Sequence, residues 1–356
     1  MKEPYDNEGI RVVEAPNCYQ CGRQGSSLYR GLRDRVFTAP GLWNIAYCSH
    51  CQLAWLDPHP VPEDIGKLYT NYYTHVESER TPNKRSLLQR IRNSILAASF
   101  GYGSLIDEKS KDALLGRILS RVRLLYDFAG SSVMWLPLQK GGRLLDVGCG
   151  SGDFMARMRD LGWQVAGVEP DPTAAQLAQQ RGLEVHQGTL EEAGLAEESF
   201  DVVTLNHVIE HLPDPISVLQ TCRRLLREGG KIVIATPNSR SLGSRYFGQA
   251  WLDWDPPRHL YLFTRYSLGE CVHRSGLCPL EVRTVAHSAW WRFVTSKLIR
   301  QNSALPGGLP IGELLRVKGA NAGSRLQGLV FQLLEQSLLR TGDLGEELVL
   351  IAGKQR

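Results

Sequence analysis

The run Leu144-Leu145-Asp146-Val147-Gly148-Cys149-Gly150-Ser151-Gly152-Asp153-Phe154 constrains this chain more than any other stretch. A short apolar strand enters a turn with glycines at alternate positions, and a helical pattern starts at once. Such a turn lets backbone, not side chains, touch a ligand. Glu169 follows 17 residues after Gly152, at the end of the next apolar run. A carboxylate there can accept hydrogen bonds from both hydroxyls of a ribose.

Downstream, short apolar runs alternate with helical periods, which predicts an α/β domain with a parallel sheet. Strands are expected at Arg143–Val147, Gln164–Val168, Leu183–His186, Phe200–Asn206 and Lys231–Thr236. Helices should fill Phe154–Leu161, Thr173–Gln180 and Ile216–Arg227, the last stopped by Gly229-Gly230. Thr264 can cap a further helix to about Ser275, before strands at Leu280–Ala286 and Glu347–Ala352. A helical stretch, 290–342, lies between those last two strands.

Two ligand classes suit a glycine turn followed by a ribose carboxylate. A dinucleotide site wants G-x-G-x-x-G, with pyrophosphate at the helix N-terminus. Here the third glycine comes one residue early, and Asp153 puts negative charge where the pyrophosphate would lie. A phosphate-free cofactor with a positive centre fits better, and S-adenosylmethionine has that chemistry. At these residues the chain resembles the class I S-adenosylmethionine-dependent methyltransferases, whose first motif is a strand ending in D-x-G-x-G-x-G. The resemblance implies a Rossmann-like seven-stranded sheet in the order 3-2-1-4-5-7-6, with strand 7 antiparallel. It also implies that Asp146, Gly148, Cys149, Gly150 and Gly152 hold the methionine tail and Glu169 the ribose. Thr189 and Leu190 stand where the family contacts adenine, and Asn206 stands where acceptor and methyl group meet.

Cys18-Tyr19-Gln20-Cys21-Gly22 and Cys48-Ser49-His50-Cys51 are two C-x-x-C knuckles separated by 26 residues. Four thiolates so spaced can form the tetrahedron that a structural Zn²⁺ prefers, with no position left for water. The metal would hold a loop-rich module together and catalyse nothing. Cys149, Cys222, Cys271 and Cys278 follow no spacing and are expected in structural roles. The organisation is therefore a zinc-ribbon-like module at 1–72, connecting basic helices at 73–137 and a methyltransferase domain at 138–356, with 290–342 as a helical cap.

His207-Val-Ile-Glu210-His211 matches the zinc-peptidase pattern H-x-x-E-H, but that reading needs one continuous helix. A strand runs straight into His207, and Leu212-Pro-Asp-Pro215 breaks the chain just afterwards. The context resembles the fourth-strand motif of ubiquinone-type O-methyltransferases, where E-x-x-E-H can hold a divalent ion. Structural, substrate-positioning and metal roles all remain open there. Trp251 to Thr264 offers a base in His259, an anion clamp in Arg258 and several rings, or else a rigid loop packed on the sheet edge. Arg258-His259-Leu260-Tyr261-Leu262-Phe263 is similar to a loop of the zinc-containing sugar C-methyltransferases. That resemblance implies a sugar or sugar-like acceptor, nucleotide- or lipid-linked, with His259, His207 and His211 as the groups available for proton removal.

Ordinary globular composition, 42% hydrophobic and 22% charged, excludes disorder and coiled coil. The start has no apolar leader and no run reaches spanning length, so a folded cytoplasmic protein is expected. Net charge is +4, yet residues 80–125 carry ten Lys/Arg against three acids. That excess is a solvated face or attracts an anionic partner. Modest total charge argues against nucleic-acid methylation. Methylation of a protein, or a non-catalytic scaffold that keeps the cofactor fold, would also be compatible with these motifs. Trp290-Trp291-Arg292 with Phe293 and Leu298 is expected as a lid, dimer face or membrane-touching patch.

Overall fold

A computed structural model describes residues 3–69, 87–107, 111–301, 322–339 and 342–354. The N-terminal part supplies six strands: β1 (Tyr5–Asn7), β2 (Ile10–Val13), β3 (Ser26–Leu32), β4 (Trp43–Tyr47), β5 (Ala54–Asp57) and β6 (His59–Pro60). Three helices follow, α1 (Leu87–Phe100), α2 (Asp112–Leu119) and α3 (Arg123–Ser131). The α/β region then reads β7 (Arg143–Val147), α4 (Asp153–Asp160), β8 (Gln164–Glu169), α5 (Pro172–Gln180), β9 (Glu184–Gln187), β10 (Phe200–Asn206), α6 (Pro215–Leu225) and β11 (Leu226–Pro237). It closes with α7 (Leu242–Phe247), β12 (Tyr261–Leu262), α8 (Arg265–Arg274), β13 (Leu277–Val285), α9 (Ala289–Gln301), α10 (Ala322–Leu338) and β14 (Glu347–Lys354).

Seven strands form one sheet in the order β9-β8-β7-β10-β11-β14-β13, with β14 antiparallel to both neighbours. That is the expected 3-2-1-4-5-7-6 arrangement. Successive residues alternate between two cores. Leu145, Val203, Ile232, Ile234 and Leu350 face one side, while Leu144, Val202, Val233, Ala235 and Val349 face the other. Both faces are covered, the second by α1 and α3 through Ile95, Leu96 and Ala129. Burial on two sides explains why these strands read as unbroken apolar runs.

The first core does not stop at the sheet. It continues through Trp251, Trp254 and Phe263 into Trp43, Ile45, Trp55 and Leu56 of the N-terminal part. Strand β12 joins the module's own sheet, in the order β12-β5-β4-β3, by pairing antiparallel with β5. The cysteine module is thus fused to the loop that precedes α8.

Several expectations need correction. Helix α6 ends at Leu225, not Arg227, and Gly229-Gly230 lies within β11, where the register shifts between Phe200↔Leu226 and Val202↔Lys231. The 290–342 region contributes α9 and α10, while its middle, 302–321, lies outside the described residues. Of its expected surface patch, Phe293 and Leu298 are buried and Arg292 is buried between Asp253 and Glu347, while Trp290 and Trp291 are half-buried. Of the basic run, Arg80, Lys84, Arg85 and Lys109 lie outside the described residues, and Arg90 and Arg123 pair with Asp112 and Asp127. Among the described residues no helix is long and apolar enough to cross a membrane.

Candidate active site

The glycine turn sits at the carboxyl end of β7. Gly148, Gly150 and Gly152 all adopt positive φ, where a Cβ is costly. Their surroundings differ. A Cβ on Gly148 would strike Val208, and one on Gly152 would lie 2.4 Å from Leu183, whereas one on Gly150 would meet nothing within 4 Å. Protein packing therefore demands the outer two glycines, and the space over Gly150 is open for a ligand.

Glu169, at the end of β8, closes the cradle. Its Oε2 accepts from the Gly150 amide at 2.7 Å and its Oε1 from the Asp171 amide at 2.9 Å. Each oxygen keeps a second lone pair for a hydroxyl donor. Burial raises the Glu169 pKa, against the pull of those two amides. Asp146 is fully buried and accepts from the Thr204 hydroxyl at 2.7 Å; burial lifts its carboxyl to about 7. Cys149 is buried, and burial pushes its thiol up.

Along the same edge, Leu190 is buried, while the Thr189 amide and hydroxyl both donate to Glu192, at 2.8 and 3.0 Å. Glu192 was not singled out by the sequence reading. Asn206 ends β10 with its side chain exposed.

After Asn206 the chain turns through His207, which sits at φ 55, unusual for a side chain with a Cβ. His207 Nδ1 lies 3.2 Å from Glu210 Oε1 and Nε2 lies 2.8 Å from Glu347 Oε1. Burial alone would lower the His207 pKa, but the two carboxylates outweigh it and raise it to about 10. A carboxylate oxygen at each ring nitrogen favours the protonated ring. Burial opposes ionisation of Glu210, yet His207 brings its carboxyl down to about 2, and Thr236 donates to its other oxygen at 2.9 Å.

His211 and His259 meet edge to face with centroids 4.7 Å apart. His211 Nδ1 lies 3.0 Å from the Arg258 carbonyl and 3.2 Å from the Tyr69 hydroxyl; burial and then His259 lower its pKa to about 4. His259 Nδ1 lies 2.7 Å from the Asp253 carbonyl, which fixes Nδ1 as the protonated nitrogen and leaves Nε2 an acceptor. Ligand atoms of Glu210, His211 and His259 lie within 4.8 Å of one another, near enough to share a divalent cation. Glu347 and Tyr69 were missed by the sequence reading, because nothing local marks a partner so far along the chain.

Arg258 does not serve as an anion clamp. Its guanidinium is buried between Asp34 and Asp255, with Nη1 2.8 Å from Asp34, and lies over the Phe37 ring. It fastens the His259 loop to the module.

In that module the four thiols of Cys18, Cys21, Cys48 and Cys51 converge, all within 4.8 Å of one another. The two knuckles are built alike: Gly22 and Gln52 donate to the carbonyls of Cys18 and Cys48, at 2.8 Å each, and both have positive φ. An all-sulfur donor set of this size suits Zn²⁺. His50 is exposed beside it. Tyr19, inside the first knuckle, bonds Asp214 and the Ile216 amide at the start of α6, so the knuckle touches the α/β core directly.

These features coincide with what sequence comparison finds. Residues 121–282 match a family model described as a methyltransferase domain. A ubiquinone biosynthesis O-methyltransferase of Cereibacter sphaeroides is 34% identical over 158 residues, 41% of this chain and 64% of that protein. One from Xanthomonas oryzae pv. oryzae is 40% identical over 109 residues, 28% of this chain and 44% of that protein. The chain spans less than two thirds of the length of these curated relatives. Among solved structures, geranyl diphosphate C-methyltransferase from Streptomyces coelicolor aligns at 17% identity over 70% of this chain and 86% of that one, with a TM-score of 0.42. A SAM-dependent methyltransferase from Archaeoglobus fulgidus aligns at 18% over 69% and 100%, also at 0.42. The sheet order and the glycine turn have the arrangement of the class I S-adenosylmethionine-dependent methyltransferases, and residues 121–282 are similar to a methyltransferase domain.

Proposed function

We propose that this chain transfers a methyl group from S-adenosylmethionine to oxygen or carbon of a small-molecule acceptor, a sugar or sugar-like metabolite. The observation that carries the reading is the open space over Gly150, whose amide donates to Glu169, a carboxylate that accepts one backbone amide on each oxygen and keeps a further lone pair on each. Asp146, Gly148, Cys149, Gly150 and Gly152 would line the amino-acid end of the cofactor. Glu169 would hold the ribose, and Thr189 and Leu190 would flank the base, with Asn206 beside the acceptor. S-adenosylmethionine, when bound, supplies the methyl group on its sulfonium.

The chain's own work is alignment and proton removal. His259 Nε2 takes the acceptor's proton, with its tautomer set by the Asp253 carbonyl. His211 packs against the ring and holds its plane. His207 stays protonated and anchors Glu210. Cys18, Cys21, Cys48 and Cys51 would hold Zn²⁺ and, through β5 and Arg258, keep the His259 loop in place.

Calorimetric titration with S-adenosylmethionine and S-adenosylhomocysteine, on protein assayed for metal, tests this reading. Micromolar binding and about one zinc per chain are expected, and Glu169→Ala should abolish the binding while leaving the fold. No binding of either compound by the unmutated protein would overturn it in favour of a scaffold.

A further inference from the structure

Helix α10 presents its aliphatic side to water. The face it buries is Ser324, Gly328, Phe331, Gln332 and Glu335, while Leu326, Leu329, Val330, Leu333 and Leu334 are between 49% and 63% exposed. A helix on a protein surface ordinarily does the reverse. The orientation is fixed from the inside. A Cβ on Gly328 would lie 2.6 Å from the Trp290 carbonyl oxygen, so α10 rests backbone to backbone on α9. Gln332 donates to the carbonyls of Ala286 and His287, at 2.9 and 2.7 Å, and Glu335 accepts the Glu346 amide at 2.7 Å. Rotating the helix to hide its leucines would break all three bonds.

Five adjacent aliphatic side chains in water mark an interaction surface, and the charges beside them select its partner. Along one flank runs a groove of about 640 Å³ that holds Lys297 and Arg300 and, among the described residues, no acid. The groove on the other flank, about 870 Å³, has four arginines and two acids, Glu281 and Asp343, each paired with an arginine. Arg325 is the one charged residue among the exposed ones of α10, and it heads the row that Leu329 and Leu333 continue at four-residue steps. A second copy laid on this face about a two-fold axis would set Lys297, Arg300 and Arg325 near their own duplicates, with no acid on the ridge to receive them. An anionic bilayer offers apolar depth to the ridge and negative headgroups to the cations beside it.

We infer that α10 is a docking face for an anionic membrane surface, with the ridge from Leu326 to Leu334 in the interface and Lys297, Arg300 and Arg325 among the headgroups. The helix is not long and apolar enough to cross a membrane, so it lies in the plane of the surface. Helices α9 and α10 fall beyond residues 121–282, the part similar to a methyltransferase domain, so the face is an addition to that domain. The inference does not depend on the acceptor.

The test is co-sedimentation of the full chain with vesicles of phosphatidylcholine alone and of phosphatidylcholine mixed with phosphatidylglycerol. Binding to the anionic vesicles should be at least about 10-fold tighter than to the neutral ones, and high salt should shrink the difference. Arg325→Gln should weaken binding to the anionic vesicles about 5-fold, the worth of one basic residue near such a surface. Leu326→Asp with Leu333→Asp should abolish it and Leu333→Ile retain it. Both leucines face outward, so thermal melts and S-adenosylhomocysteine affinity should match those of the unmutated chain. If the chain binds neither vesicle, the inference is overturned, and a dimer in solution that the double variant separates would assign the face to a second copy. If the double variant binds anionic vesicles as well as the unmutated chain, the contact lies elsewhere and α10 is not the docking face.

Discussion

Replacing Asp34 probes the joint between module and site. Asp34 Oδ1 accepts the Val36 and Phe37 amides and Oδ2 the Ala39 amide, each at 2.9 Å, and Oδ2 also takes Arg258 Nη1 at 2.8 Å. The side chains of Asp34 and Arg258 are 1% and 0% exposed, so water does not replace what is lost. Removing one partner of a buried pair costs about 3–5 kcal/mol, because the other charge stays behind. Arg258 keeps Asp255, which moves Asp34→Ala toward the lower end, while the freed amides move it back up. Asp34→Asn preserves the Oδ1 contacts but turns an NH2 toward both the Ala39 amide and Arg258, losing an amide bond and the charge-assisted bond, so at least about 1.5–3 kcal/mol is expected. Urea unfolding followed by tryptophan fluorescence reads both values. Hydrogen exchange should show residues 252–264 opening in Asp34→Ala, with S-adenosylhomocysteine affinity unchanged, since the glycine turn is built from other elements. Stability within about 0.5 kcal/mol of the unmutated protein would place Arg258 in water and refute the joint.

Two glycines of the turn should separate fold from binding. Gly152→Ala drives a Cβ to 2.4 Å from Leu183 at φ 80, so it should lower stability by at least about 2 kcal/mol from crowding and backbone strain together. Gly150→Ala, at φ 53 in open space, should cost only about 1–2 kcal/mol yet remove cofactor binding; thermal melts and calorimetry on the pair check the contrast. His207 carries a pH prediction. Its folded pKa is raised from 6.5 to about 10, so its stabilisation is complete below about pH 6.5 and is lost as pH climbs toward 10. Urea midpoints at pH 6, 8 and 9.5 should fall more steeply for the unmutated protein than for His207→Gln, and parallel curves would count against a protonated His207.

What the sequence reading reached, and what it missed, divides by the range of the forces involved. Strands β7 and β10 were legible to the residue because burial on both faces leaves unbroken apolar runs. Helix α8 was legible because Thr264 and Ser267 form a local capping box. The glycine turn was legible because its backbone conformation admits little else. Whether Arg258 was an anion clamp or part of a rigid loop stayed open because its counter-charge, Asp34, is 224 residues away, and His207 was ranked with the bases because Glu347 is 140 residues distant. Arg292 was read as part of a surface patch for the same reason, since Asp253 and Glu347 turn it into an interior residue. A charge cannot be assigned to architecture or to function until its partner is known. Arg258 and Arg292, fully partnered and buried, keep the loop of His259 in place.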